Sequence, residues 1–200
     1  MRLFIAVDLS EEAREAMAAE QKRIAAALGG TKTSLHPKWV RPEHAHLTLV
    51  FLGNVDASRV PAVVEAVGGD VDLAPFDMVL EGAGAFPPRG APRVLWVGTT
   101  TGATELTVLQ RLLSSRLAGL GVELETRPFH PHLTLGRWRE SRPSDRDHAL
   151  AAARPGAIAR VHVRYATLYE SRLSSSGAAY SALTRANLAP RMGPVRSVRL

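Results

Sequence analysis

The chain of 200 residues predicts an α+β protein with a pseudo-twofold internal duplication. Predicted helices alternate with strands that occur in hairpin-like pairs, which favours α+β lobes over a doubly wound parallel sheet. The tetrapeptide His-Leu-Thr-Leu occurs at His46–Leu49 and again at His132–Leu135, 86 residues later (132 minus 46). This spacing is about half of the folded length, and each copy precedes a predicted helix.

The first half of the chain predicts elements in the order strand, helix, strand, helix. A buried strand covers residues 2–9, and a helix capped by Ser10 runs to about residue 28 and ends at Gly29-Gly30. Residues 39–40 predict a short strand, and Pro42 marks a turn. The first motif strand then covers 46–52, and a helix covers 58–67 with Pro61 in its first turn.

The second half repeats this pattern with further strands. Strands are predicted at 76–80, 94–97, 159–168 and 179–183, helices at 105–117 and 144–153, and the second motif strand after Pro131. Beyond residue 188 the sequence shows Pro, Gly and Arg without periodicity. We therefore expect one bilobal domain over residues 1–188 and a flexible basic tail over 189–200.

The amino-acid composition favours some functions and excludes others. The chain is 46% hydrophobic and 22% charged, as is typical of globular proteins. Its net charge of +6 (25 basic minus 19 acidic) favours a polyanionic partner. Cysteine is absent, which excludes disulfides, thiolate catalysis and cysteine-based zinc sites. No segment reaches the roughly 20 apolar residues of a membrane span, so a cytoplasmic protein is expected.

The repeated motif predicts an acid–base site. Residues two apart on a strand share a face, so His46 projects with Thr48, and His132 projects with Thr134. Two imidazoles on opposite sides of one substrate form a natural acid and base near neutral pH. Hydrolysis of a ribose 2′,3′-cyclic phosphate needs such a pair, because the leaving oxygen lies opposite the attacking water. The threonine hydroxyls would then hold the non-bridging oxygens.

Two other interpretations of the motif compete with this one. A single His-x-Thr is more often structural than catalytic, but two copies at equivalent points favour function. The pairs His44/His46 and His130/His132 would instead offer four imidazoles to a metal ion. Pro42 and Pro131 interrupt the strand near each leading histidine, and a metal leaves the threonines unexplained. We therefore expect no metal and no cofactor.

Five separate blocks carry a resemblance to a known family. They are MRLFIAVDL, VRPEHAHLTLVFLG, GAFPPRGAPRVLWVG, RPFHPHLTLGRW and YESRLSSSGAAY, and they occur in the expected order up to about residue 185. With these blocks the chain resembles the 2H phosphoesterases, in particular the RNA 2′,3′-cyclic phosphodiesterases that were formerly called 2′-5′ RNA ligases.

The resemblance implies two similar lobes, each an antiparallel sheet backed by helices, with the active-site cleft between them. It implies that His46 protonates the leaving ribose 3′-oxygen and that His132 activates water, which yields a 2′-phosphate. The substrates would be RNA ends or nucleotides that carry a 2′,3′-cyclic phosphate, and the protein is expected to be a monomer without a protein partner. Thr48 and Thr134 match phosphate-holding positions, and Arg137 matches a basic position beside the phosphate.

Some residues differ from those usual in the family, and several alternative functions are compatible with the sequence. Phe51 sits where the family offers a ring to a nucleobase, but strict alternation from His46 points it towards the helices, which favours a core role. His44 and His130 replace more usual asparagine-like and arginine-like residues, and protonated His130 could still contact RNA phosphate. Reversible 2′-5′ ligation, a small cyclic nucleotide as substrate, and a non-catalytic RNA-end-binding module remain alternatives to the leading hypothesis.

Overall fold

The computed structural model describes residues 1–29, 36–174 and 177–190. The predicted helix stop at Gly30 and all of the predicted basic tail after Pro190 lie outside the described residues. That residues 1–188 form one domain stays a prediction.

The helices and strands follow the predicted order closely. The strands are β1 (Arg2–Asp8), β2 (Lys38–Trp39), β3 (His46–Asn54), β4 (Gly69–Val71), β5 (Phe76–Phe86), β6 (Val94–Thr99), β7 (His132–Arg137), β8 (Ala157–Val163), β9 (Tyr165–Ser174) and β10 (Gly177–Leu188). The α-helices are α1 (Glu11–Gly29), α2 (Val60–Val67), α3 (Ala103–Leu117) and α4 (Pro143–Ala152). Short 3₁₀ turns lie at Pro42–His44 and Ala57–Arg59.

Within the described residues, the strands form two five-stranded sheets. The first sheet has the order β3-β1-β9-β10-β4, and the second has the order β2-β7-β6-β5-β8. Neighbouring strands are antiparallel, apart from β4, which pairs in parallel with β10. The predicted α+β class is thus confirmed. Each motif strand, β3 or β7, pairs with an interior strand of its own sheet, β1 or β6.

The predicted single strand at 159–168 is wrong, because the structure places two strands there in different sheets. β8 belongs to the second sheet and β9 to the first, and the chain crosses between the sheets at Arg164. In the sequence, the apolar residues Val161, Val163 and Tyr165 alternate with polar ones straight through this crossing. Since the pattern has no break at Arg164, sequence periodicity could not reveal the change of sheet.

The two sheets are also not built from successive halves of the chain. β2 comes from the first half but lies in the second sheet, while β9 and β10 return to the first sheet. The helices are exchanged as well. α1 follows β1 of the first sheet but packs against β8 and α4, whereas α3 follows β6 of the second sheet but packs against β3 and α2. The lobes are therefore interlocked.

A continuous apolar core joins the lobes and holds the exchanged helices in place. Its fully buried large side chains include Leu3, Ile5, Met17, Ile24, Leu28, Leu47, Met78, Leu80, Leu95, Leu106, Leu109 and Leu113. These residues come from both sheets and from both exchanged helices, so neither lobe has a separate core. None of the described helices is long and apolar enough to cross a membrane.

One buried polar side chain ties α1 to the second motif strand. Gln21 on α1 is buried, and its Nε2 donates to the backbone carbonyls of Val40 and Leu135, each at 2.8 Å. Leu135 lies in β7 beside the motif residue Thr134. The amide therefore anchors the exchanged helix to the strand that carries the second motif.

We predict that Gln21→Met lowers the free energy of unfolding by about 1–3 kcal/mol, because it removes two hydrogen bonds while keeping the side-chain volume. The Leu135 carbonyl keeps its bond from the Val40 backbone N–H, whereas the Val40 carbonyl loses the amide donor. Urea unfolding followed by circular dichroism measures this change. Lys22→Met on the exposed face of the same helix turn is the matched control. Equal urea midpoints for the two variants would contradict the anchoring role.

Candidate active site

The two motif strands share one pattern of burial. In β3 the residues from His46 to Phe51 run half-buried, buried, half-buried, buried, buried, exposed, and in β7 the residues from His132 to Arg137 show the same sequence of states. The two consecutive buried positions break the alternation that a regular strand would show. The same local irregularity therefore occurs in both motif strands.

A β-bulge at the same motif position explains this pattern. In the first sheet Thr48 pairs with Ala6 and Val50 pairs with Ile5, so Leu49 is an extra residue between two ladder positions. In the second sheet Thr134 pairs with Trp96 and Gly136 pairs with Leu95, so Leu135 is the extra residue. A bulge shifts the following side chains to the other face of the strand. The fifth residue after each motif histidine thereby joins the histidine and the threonine on the cleft side.

The predicted core role of Phe51 is wrong for this reason. Strict alternation would turn Phe51 towards the helices, but the ring is 44% exposed and lines the cleft. The guanidinium of Arg2 lies 5.0 Å from the ring centroid and covers part of it. Phe51 is thus an exposed aromatic platform beside Thr48, and Arg137 occupies the equivalent position in the other lobe.

The cleft between the motif strands has a volume of about 690 Å³. Of the predicted site residues, it brings together Thr48, Phe51, His130, His132 and Arg137. The other polar or aromatic side chains that line it are Phe86, Arg93, Gln110, Ser114, Glu125, Arg127 and Phe129. Several arginines therefore face the cavity that contains the second motif histidine.

The remaining two predicted residues, His46 and Thr134, do not line this cleft. His46 lines a neighbouring cavity of about 330 Å³ together with Asp8, Tyr169 and Tyr180. It precedes Thr48, which lines the larger cleft, by two residues on the same strand face. Thr134 is half-buried and shares its strand face with His132, but it lines neither cavity.

Each motif histidine makes an equivalent hydrogen bond to the backbone carbonyl two residues before it. Nδ1 of His46 lies 2.8 Å from the carbonyl oxygen of His44, and Nδ1 of His132 lies 2.7 Å from the carbonyl oxygen of His130. A carbonyl oxygen only accepts, so in each ring Nδ1 carries the proton that is donated. Nε2 is therefore the ring atom that can exchange a proton with a substrate.

Aromatic side chains enclose both imidazoles. Phe4 stacks on His46 at a centroid distance of 4.7 Å, and Tyr180 meets the same ring edge-on at 5.3 Å. Phe86 meets His132 edge-on at 5.2 Å, and Trp96 lies 6.1 Å away. Such packing fixes the ring planes and removes water from around them.

Burial lowers the pKa of both motif histidines below the usual value of 6.5, because desolvation disfavours the imidazolium. The positive charge of Arg137 lowers both pKa values further. This guanidinium therefore lies within electrostatic reach of both histidines. The neutral rings can accept a proton at Nε2, and Arg137 supplies a positive charge where an anionic substrate would bind.

The leading histidines of the two pairs face aromatic rings. His44 meets Tyr180 at 5.1 Å, and His130 meets Trp96 at 4.9 Å. In the part of the chain that the structure describes, no group of three or more His, Cys, Asp or Glu side chains converges as metal ligands would. Each leading histidine contributes its backbone carbonyl to orient the motif histidine.

Sequence reasoning missed the residues that surround the motif histidines. These are Phe4, Asp8, Phe86, Trp96, Tyr169 and Tyr180. One signal was available: Gly84 pairs directly with Trp96, and a Cβ at Gly84 would overlap the indole ring. A glycine within a strand often marks such a close approach. The contact itself depends on strand register, which the sequence alone does not give.

Known proteins resemble this chain in sequence and in architecture. The family model described as "LigT like Phosphoesterase" matches residues 7–96 and 97–180. An RNA 2′,3′-cyclic phosphodiesterase of Archaeoglobus fulgidus is 33% identical over 183 residues, which cover 92% of this chain and 98% of the relative.

Solved structures agree. The protein TT0787 of Thermus thermophilus superposes with a TM-score of 0.75 at 28% identity, covering 94% of this chain and 97% of that chain. E. coli LigT complexed with 3′-AMP superposes with a TM-score of 0.71 at 29% identity, covering 94% and 97% of the two chains.

We predict that His46 and His132 both titrate below pH 6.5 in the ligand-free protein, because burial disfavours their charged forms. NMR titration of the imidazole resonances, assigned with the single variants His46→Gln and His132→Gln, measures both midpoints. The same resonances in urea-unfolded protein give the reference. A folded-state midpoint at or above the unfolded one would contradict the prediction.

Proposed function

Because the chain belongs to the LigT-like phosphoesterase family, we propose that it hydrolyses 2′,3′-cyclic phosphates at RNA ends to 2′-phosphates. The observation that carries the proposal is the matched pair of bulged motif strands. Each strand presents on one face a histidine, a threonine and the residue five positions after the histidine, which is Phe51 in β3 and Arg137 in β7. Arg93 and Arg137 line the cleft and suit an anionic substrate, whereas Arg127 is paired with Glu125 there.

In the proposed mechanism, two imidazoles share the proton transfers. Nε2 of His132 removes a proton from water, whose oxygen attacks the phosphorus. The bond from phosphorus to the ribose 3′-oxygen breaks, and Nε2 of His46 donates its proton to that oxygen. The products are a 2′-phosphate and a free 3′-hydroxyl, and each histidine ends in the protonation state from which the other began. Acid and base groups of this kind contribute roughly 10²–10⁴-fold each to the rate.

The developing charge on the non-bridging oxygens needs donors that are already in place. Thr48 and Thr134 follow their histidines by two residues on the same face and would donate their hydroxyls. Arg137 would pair with the phosphate through its planar fork of donors. Its reach to both histidines matches a position beside a phosphate held between them. His130 lines the same cleft and would contact an adjacent phosphate when protonated.

Phe51 would receive the nucleobase. Its ring is exposed in the cleft next to Thr48, and base stacking on an aromatic side chain tolerates any base. Such a site recognises the ribose, the phosphate and a π-face, so it would act on RNA ends of different sequence. The same proton transfers, with a 5′-hydroxyl in place of water, would join that hydroxyl to the cyclic phosphate and release the 3′-oxygen, which is 2′-5′ ligation.

We predict that the protein, incubated with EDTA and an RNA oligomer that ends in a 2′,3′-cyclic phosphate, releases only 2′-phosphate ends. His46→Ala and His132→Ala should each lower kcat by at least about 10²-fold, since each removes one proton-transfer group. Products are resolved by chromatography against 2′- and 3′-phosphate standards.

His162→Ala is the control for this experiment, because His162 is an exposed histidine that contacts Asp77 away from the cleft. Circular dichroism checks that the variants are folded. Undiminished turnover in either motif variant would contradict the two-histidine mechanism. Turnover that requires added zinc or manganese would contradict metal independence, and binding without product would favour a non-catalytic module.

We predict that Phe51→Leu lowers kcat/KM for nucleoside 2′,3′-cyclic phosphates by about tenfold, because it removes a stacking contact of order 1–3 kcal/mol. The effect should vanish with an abasic ribose 2′,3′-cyclic phosphate, which offers no ring to stack. Val108→Ala on the exposed face of α3 is the control. An equal loss on the nucleoside and abasic substrates would contradict the stacking role.

A further inference from the structure

The two motif histidines differ in the residue that lies opposite each of them. In the β1–β3 ladder His46 pairs with Asp8, whereas in the β6–β7 ladder His132 pairs with Gly98. Side chains of directly opposed residues lie about 4.5–5.5 Å apart at their Cβ atoms. One motif histidine thus has a carboxylate as its cross-strand neighbour, and the other has no side chain there.

Asp8 is fixed in place by two hydroxyl groups from β9. Thr167 Oγ1 donates to Oδ2 at 2.9 Å, and the Tyr169 hydroxyl donates to Oδ1 at 2.6 Å. Thr167 is fully buried, and burial together with the Asp8 bond raises the pKa of Tyr169, so its hydroxyl stays protonated as a donor. Both of these partners are neutral, so the negative charge of the carboxylate remains available to act on His46.

No counterpart of Asp8 can occupy the second lobe without rearrangement. A Cβ at Gly98 would lie 3.2 Å from the carbonyl oxygen of Glu81 and 3.4 Å from the Trp96 ring. A side chain at 98 would therefore press on the Glu81 backbone and touch the Trp96 ring that encloses His132. The asymmetry between the two sites is built into the packing of the second sheet.

We propose that Asp8 is a positioning residue that keeps a proton on His46, as the acid role of His46 in the proposed function requires. The proposal rests on the proposed function for its catalytic meaning. The electrostatic pairing of Asp8 with His46 can be tested without substrate.

The two histidines otherwise have matched surroundings. Each donates Nδ1–H to a backbone carbonyl, each has a neighbouring histidine in the motif pair, and Arg137 acts on both with the same sign. These features cannot decide which ring carries the proton. Of the two imidazoles, the Asp8 charge acts on His46, where it opposes the lowering of the pKa by burial.

Other groups that face His46 come from several elements. Glu43 from the 3₁₀ turn and Arg14 from α1 line the same cavity and carry opposite charges. Tyr169 and Tyr180 from β9 and β10 present phenol groups. Of the charged groups in this cavity, Asp8 is the one directly opposite the histidine in the strand register.

The decisive variant is Asp8→Asn, which removes the charge and keeps the shape. We expect the NMR titration midpoint of His46 to fall by about one pH unit, while that of His132 moves by no more than about two tenths. Because the acid must be protonated, the alkaline limb of the kcat/KM profile on a nucleoside 2′,3′-cyclic phosphate should move to lower pH by the same amount. Asp8→Glu keeps the charge and should return both values towards the wild type.

Asp77→Asn is the control, because this exposed carboxylate pairs with Arg160 and His162 away from both cavities. Asp8→Ser takes the place of Asp8→Asn if the latter fails to fold. An unmoved His46 midpoint, or equal movement of both histidines, would overturn the proposal. A loss of activity that is uniform across pH would also overturn it, since that is the signature of a structural role.

The failure of the proposed function gives a different result. In that case the wild-type protein shows no turnover of the cyclic phosphate, whatever the histidine titrations. If the wild-type enzyme is active and Asp8→Asn leaves the titration midpoint of His46 unchanged, the role of Asp8 is contradicted and the proposed function is not.

Discussion

The packing of the exchanged helices holds the two motif strands at the same cleft. α1 leaves the first sheet and packs on the second, while α3 leaves the second sheet and packs on the first. Gln21 then bonds α1 to the backbone of β7 from behind the cleft. Because the lobes share one apolar core, their relative position is a property of the whole fold. A site whose halves come from different sheets needs such a connection, since catalytic groups must be positioned within fractions of an ångström.

The bulges in β3 and β7 convert two ordinary strands into functional surfaces. A regular strand would bury Phe51 and Arg137 among the helices, where the guanidinium would be costly to desolvate. The extra residue in each ladder, Leu49 or Leu135, turns these side chains outwards while its own side chain stays in the core. Bulges are common next to active sites because they re-aim a side chain at the cost of one ladder position. Here the same bulge occurs in both of the equivalent strands, β3 and β7.

The fold class and the family could be predicted from the sequence. The α+β class and the family resemblance are confirmed, because repeated motifs, capped helices and glycine or proline boundaries are local signals. The exposure of Phe51 in the cleft could not be predicted, since the bulge at Leu49 arises from pairing with β1. The change of sheet at Arg164 was hidden by an unbroken alternation. Asp8 escaped notice because its relation to His46 is a matter of register across 38 residues of chain (46 minus 8). The catalytic roles of the motif residues stay predictions.

The shared bulge also gives the cleft a direction. Its two equivalent positions hold different chemistry, an aromatic ring at Phe51 and a cation at Arg137. A ligand with a flat apolar end and an anionic end fits the two positions best in one orientation, because turning it around would set its charge against the Phe51 ring and leave the Arg137 guanidinium without its anionic partner. The backbones of the two motif strands are therefore equivalent, whereas the side chains at the equivalent positions differ and orient a bound ligand.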